Sequence, residues 1–112
     1  ILVHQAPLQL HDPKYIYLRS LSKGGQDIDQ NKLFNLAVDY KKHMHLQNFV
    51  RDKIKSLKNK DYKFKVIDLN NIFCDKMKCI VGTVKSSYYY DKSHLSRKGA
   101  QMTKNLLLKY LD

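Results

Sequence analysis

Two apolar runs separated by a long stretch of helical periodicity constrain the fold of this chain more than any other feature of its sequence. The first, Ile1-Leu2-Val3, is followed by Pro7; apolar residues come first and a proline then ends the ladder, as in a buried strand. The second lies in Tyr62-Lys63-Phe64-Lys65-Val66-Ile67-Asp68-Leu69, which alternates and then turns continuously apolar, as a strand does on entering a core. Between them Leu33, Leu36 or Ala37, Tyr40 and Met44 recur at helical spacing, followed by Leu46, Phe49, Val50, Ile54 and Leu57. This pattern predicts an amphipathic helix of about 25–30 residues. Asp29 is its N-cap, and the phase shift at His43-Met44-His45 is where it would break. Strand, long helix and strand make one crossover unit of a parallel sheet.

The remaining segments are shorter. Residues 8 to 28 hold no sustained period and contain Pro13 and Gly24-Gly25, which predicts a loop with one short helical turn. Asn70 and Asn71 end the second strand, Ile72-Phe73 forms a short buried turn, and Cys79-Ile80-Val81-Gly82 with Ser87-Tyr88-Tyr89-Tyr90 frames a small hairpin. A last helix follows Ser96, its natural N-cap, with Met102, Leu106 and Tyr110 on one face beside Leu107 and with Leu95 placed to staple its entry. The fold class is therefore α/β, a partial parallel sheet with flanking helices. Its strand faces expect further strands, and a chain that opens inside a core strand leads us to expect sequence upstream.

With 112 residues and 43% apolar content, the chain is expected to form one small domain over 1–112. It has no run of the roughly 18 apolar residues that a spanning helix needs, and no signal-peptide pattern at its start. Lys and Arg number 21 against 10 acids, a net charge of +11 that favours anionic partners. The lysines are nevertheless spread through 32–65 and 76–109, with no Arg-rich cluster alternating with aromatics, so a solvated face explains them better than a nucleic-acid site. A small basic module for a polyanion stays the alternative reading.

Cys74 and Cys79 are the only cysteines, and four intervening residues suffice to close a small disulfide loop, which would imply an oxidising compartment. Two free thiols are the second possibility. A metal site ranks below both, because it would need further ligands and His43 and His45, two residues apart on a helix, point in different directions. No cofactor is expected.

The densest chemical signal is Tyr88-Tyr89-Tyr90-Asp91-Lys92-Ser93-His94-Leu95-Ser96-Arg97-Lys98-Gly99-Ala100. In an acyl-transfer triad an imidazole takes the serine proton and returns it to the leaving group, while a carboxylate on the other ring nitrogen fixes the tautomer. Two intervening residues on a tight loop let Asp91 and His94 meet by local geometry. Taken bare, the Asp-x-x-His of a loop is more often a turn-shaping element than a catalytic one.

The wider context changes that balance. Tyr90, Asp91, His94, Leu95, Ser96, Gly99 and Ala100 resemble the last block of the SGNH hydrolase superfamily, and more closely that of the C-terminal SGNH domains attached to membrane acyltransferases that O-acetylate bacterial surface polysaccharides. Val66-Ile67-Asp68, Phe73-Cys74 and Cys79 are similar to the strand and cysteine-bounded loop that often precede that block, and Ile1 to Pro7 to a strand that leads toward the site.

The resemblance implies a flavodoxin-like fold of which this chain is the C-terminal portion, and carbohydrate O-acyl transfer or acetyl-ester hydrolysis with Asp91 and His94 catalytic. It further implies a polysaccharide acceptor, a fused membrane acyltransferase domain, and an extracytoplasmic site tethered to the inner membrane. The Gly-Asp-Ser nucleophile block and the glycine and asparagine blocks that supply oxyanion donors do not occur in these residues. Ser20, Ser22, Ser56, Ser86, Ser87, Ser93 and Ser96 stand in no such setting, so the serine is expected upstream and the chain by itself inactive. His4, near the end of the first strand, and Tyr88-Tyr89-Tyr90, which could stack on a sugar ring, are lesser candidates better explained by structure and strand packing.

Overall fold

A computed structural model describes residues 1–60 and 63–111. In chain order it contains β1 (Leu2–Val3), α1 (Pro13–Arg19), α2 (Gln30–Leu36), β2 (Val38–Asp39), α3 (Tyr40–Asn59), β3 (Val66–Ile67), α4 (Asn70–Phe73), β4 (Lys78–Cys79) and α5 (Arg97–Leu108). β1 and β3 pair in parallel, Leu2 beside Val66 and Val3 beside Ile67, so the two apolar runs share a sheet as the sequence predicts. Hydrogen bonds from Leu2 N to the Lys65 carbonyl (2.7 Å) and from His4 N to the Ile67 carbonyl (2.9 Å) carry the ladder one residue beyond each end. Tyr62, included in the expected second strand, lies outside the described residues.

The long helix is divided, but not at His43-Met44-His45. α2 ends at Leu36, Ala37 turns extended, and Val38–Asp39 pairs antiparallel with Lys78–Cys79 before α3 begins. The reason is tertiary. Lys78 Nζ donates to the carbonyls of Asn35 and Ala37, both at 3.0 Å, satisfying acceptors at the end of α2, and it pairs with Asp39 at 2.9 Å. Gln9, fully buried, accepts from Val38 N (3.0 Å) and donates to the Cys79 carbonyl (2.8 Å), so one side chain ties both strands of this second sheet. The helical periodicity runs through a segment that these partners hold open.

Other local readings hold more closely. Asp29 caps α2 by accepting from Asn31 N (2.9 Å) and Lys32 N (3.2 Å). The short helical turn expected within 8–28 is α1, which Pro13 opens behind an Asp12 cap, where its missing N–H costs nothing. The hairpin forms, closed by the Gly82–Ser87 bridge and by Tyr88 N donating to the Val81 carbonyl at 2.8 Å.

The core gathers Ile16, Leu33, Ile67, Leu69, Phe73, Val81, Tyr88 and Tyr89, with Leu95, Met102 and Leu106 packed against it. Phe73 lies with its ring centre 6.2 Å from both Tyr88 and Tyr89, so the short α4 and the hairpin meet through aromatic edges. Each such buried side chain contributes about 1.5–3 kcal/mol relative to exposure. β1 itself is exposed, contrary to the expectation of a core strand, and of the twenty residues of α3 only His43 is buried. α3 is attached mainly through polar groups: Gln47 donates to the Gln5 carbonyl (3.1 Å) and Arg51 grips Asp68 with both guanidinium nitrogens, at 2.7 and 3.3 Å.

Candidate functional site

The loop between Tyr90 and His94 is built by its own first residue. The Asp91 carboxylate oxygen Oδ1 accepts from the backbone N–H of Ser93 (2.9 Å) and of His94 (2.8 Å), a local turn that short acidic side chains favour. A Tyr89–Leu95 bridge and a bond from Tyr90 N to the His94 carbonyl (2.8 Å) close the loop at its base. α5 pins the far side. Ser96 Oγ caps Gly99 N (3.1 Å) and also donates to the Ser87 carbonyl (2.7 Å), while Ser96 N donates to the Tyr88 carbonyl (2.9 Å). Gly99 is buried where a Cβ would overlap the Tyr88 carbonyl oxygen, so glycine is what lets the helix start sit directly on the hairpin segment that leads into the site.

On this frame the His94 ring meets the carboxylate. Nδ1 lies 3.0 Å from both Asp91 oxygens, and an ionised carboxylate can only accept, which puts the proton on Nδ1 and the free lone pair on Nε2. The N–H groups of Ser93 and His94, aided by the imidazole, hold the Asp91 carboxyl down at about 2. Among the described residues no hydrogen bond engages Nε2, and the side chain of His94 is 76% exposed against 41% for Asp91. An imidazole so oriented can take a proton at Nε2 and return it.

Ser93, which stands in no nucleophile setting, lies beside the carboxylate–imidazole pair. Its hydroxyl lies 3.2 Å from Nδ1 and 3.4 Å from Asp91 Oδ1, on the side of the ring opposite the free nitrogen, so it reinforces the turn and cannot pass a proton to Nε2. Ser20 is buried against the Ile16 carbonyl, Ser87 bonds the Tyr89 carbonyl, and Ser96 is occupied as a cap. Of the tyrosine run, Tyr88 and Tyr89 are buried, as strand packing predicts, whereas Tyr90 is 80% exposed beside Asp91.

Two features escaped sequence reasoning. Gln9 N donates to the Lys92 carbonyl (2.9 Å), and Tyr89 Oη donates to the Pro7 carbonyl (2.6 Å), so the segment after β1 is laced to the site loop. A buried glutamine in an irregular segment leaves no periodic trace that would have marked it. His4 belongs elsewhere, beside Arg51 and Asp68, where burial and then the Arg51 charge lower its pKa. Cys74 and Cys79 face each other across an antiparallel bridge with their sulfurs at bonding distance.

The described residues form, as a class, a mixed α/β domain with a small parallel sheet, flanking helices and an exposed carboxylate–imidazole pair on one loop. Within that class, a family model described as the SGNH domain (fused to AT3 domains) matches residues 1–109, and the chain belongs to this family. Comparison with curated proteins and with solved structures returns no match. The family's fusion to AT3 domains associates it with a membrane acyltransferase, although no helix among the described residues is long and apolar enough to cross a membrane.

Proposed function

We propose that this chain supplies the acid–base half of a Ser-His-Asp acyl-transfer site acting on O-acetylated carbohydrate, with Asp91 and His94 as the pair and a serine contributed from outside residues 1–112. The observation that carries this reading is the orientation of His94: Nδ1 is held by a carboxylate of depressed pKa, and the opposite nitrogen is free and exposed. In the reaction, Nε2 takes the proton of the serine hydroxyl as its oxygen attacks the acyl carbonyl. The imidazolium then returns that proton to the departing alcohol, leaving an acyl-enzyme. Water or a sugar hydroxyl, deprotonated by the same nitrogen, releases the acyl group. Fusion of the family to AT3 domains supports transfer to a surface polysaccharide on the extracytoplasmic face over simple hydrolysis.

The test is turnover of a simple acetyl ester by the complete protein and three variants, each checked for folding by circular dichroism. His94→Ala should lower turnover by roughly a hundred- to ten-thousandfold. Asp91→Asn should impair it through the tautomer with the fold retained, and Lys92→Ala should change little. Full activity in well-folded His94→Ala would return the pair to a turn-shaping role.

A further inference from the structure

Apart from the Asp91–His94 loop, one cluster of ligand-type side chains converges among the described residues. One ring nitrogen of His43 and the sulfurs of Cys74 and Cys79 all lie within 4.8 Å of one another. His43 is 1% exposed, and its Nδ1 is a buried polar atom with no hydrogen-bond partner among the described residues. Such an atom is costly unless something occupies its lone pair. The other nitrogen, Nε2, lies 2.6 Å from Asn70 Oδ1, and that oxygen also accepts from Arg51 at 3.2 Å while Asn70 Nδ2 points to the Met44 sulfur. Asn70 Oδ1 is thus an acceptor, the His43 proton sits on Nε2, and Nδ1 offers a bare lone pair. A ring that donates one N–H to an amide oxygen and presents the other nitrogen is oriented as metal-binding histidines are.

We propose that Cys74, Cys79 and His43 form a zinc site when the two cysteines are in the dithiol state, so that this corner of the fold alternates between a disulfide and a bound Zn²⁺. Opening the S–S bond takes two electrons and two protons from a dithiol, which closes to its own disulfide. Zn²⁺ then displaces the two thiol protons. Two thiolates and a neutral imidazole leave no net charge around the ion, which suits a buried position.

Zinc at about 2.3 Å from sulfur and about 2.0 Å from nitrogen needs donors about 3.5–4 Å apart, so the two sulfurs must part once their bond opens, and an imidazole nitrogen within 4.8 Å of both is near enough to join them. Hydrogen bonds as well as the sulfur bond shape the loop. Asp75 accepts from Met77 N (2.6 Å) and Lys78 N (2.7 Å), and its own N–H donates to the Lys78 carbonyl (2.9 Å). Cys74 lines an open cavity of about 270 Å³ with Tyr40, Asn70, Asn71, Asp75 and Lys76, which gives a reductant its approach and a water the fourth coordination position.

The experiment uses the complete protein, oxidised or reduced with a phosphine, which competes less for zinc than a dithiol does, and then given ZnCl₂. Native mass spectrometry should show one zinc per chain in the reduced protein and none in the oxidised one. Zinc-edge X-ray absorption on the reduced protein should report two sulfurs and an imidazole, independently of any variant. Cys79→Ser should lose the stoichiometric ion, and His43→Gln should bind at least about tenfold more weakly. Zinc bound equally by the oxidised protein, no zinc on the reduced protein, a coordination shell lacking sulfur, or a reduced chain that stays unfolded with zinc present would each overturn the proposal.

Discussion

At the scale of single residues, the Asp91–His94 loop is built from groups whose partners are three residues away or fewer. Asp91 is the clearest case: its carboxylate is held by the N–H groups of Ser93 and His94, and its pKa falls from 3.8 to about 2. Because the folded value lies below the unfolded one, the stability this contributes is present above about pH 4 and is lost as the pH falls through about 2. Acidification above that range therefore leaves the carboxylate charged, and a loss of activity there cannot be assigned to Asp91. Carboxyl chemical shifts of labelled Asp91 should titrate with a midpoint near 2, and a midpoint at the ordinary value would mean that the turn is not formed in solution. Cys74 and Cys79 carry a second residue-scale prediction. Intact mass of protein from its native compartment should rise by two hydrogens on reduction, whereas two alkylatable thiols before reduction would count against the bond and the extracytoplasmic setting.

Among the elements, α5 does most to fix the site, and it does so through two small residues. Ser96 caps Gly99 N at the helix start and donates to the carbonyls of Ser87 and Tyr88 on the hairpin segment. Replacing it with alanine removes a cap and leaves the Ser87 carbonyl without that donor, a loss of about 1–2 kcal/mol. In a domain of this size that lowers the melting temperature by roughly 5–10 °C. Gly99→Ala tests the other half of the joint. Alanine is the better helix former by about 1 kcal/mol, yet its methyl would meet the Tyr88 backbone, so the variant should melt below Ser96→Ala. Thermal unfolding of both variants followed by circular dichroism decides the order; a stabilised Gly99→Ala would mean that α5 stands off the Tyr88 backbone.

For the molecule as a whole, the distribution of apolar surface is unusual for 112 residues. The radius of gyration is 15.7 Å and the extents are 57 × 30 × 21 Å, against about 13 Å expected for a compact chain of this length. Leu2 and Val3 on β1 and Leu46, Phe49 and Val50 on α3 are exposed. Phe49→Gln should therefore change stability by no more than about 0.5 kcal/mol while reducing self-association of the chain in light scattering. A large drop in melting temperature would instead show that Phe49 is packed.

What the sequence determined by itself is what local chemistry dictates. The caps Asp29 and Ser96, the hairpin, the paired apolar runs and the meeting of Asp91 with His94 were all legible, because each rests on hydrogen bonds or periodicity spanning a few residues or on a hydrophobic pattern that only a sheet satisfies. The tertiary structure decided the rest. The break between α2 and α3 falls at Ala37–Asp39 because Gln9 and Lys78, 29 and 41 residues distant, bind the backbone there more favourably than a continuing helix would. His43 and the two cysteines converge for the same reason, since it is tertiary packing that sets α3 against β4. No spacing in the sequence encodes a separation of 27 residues between an imidazole and the amide that orients it.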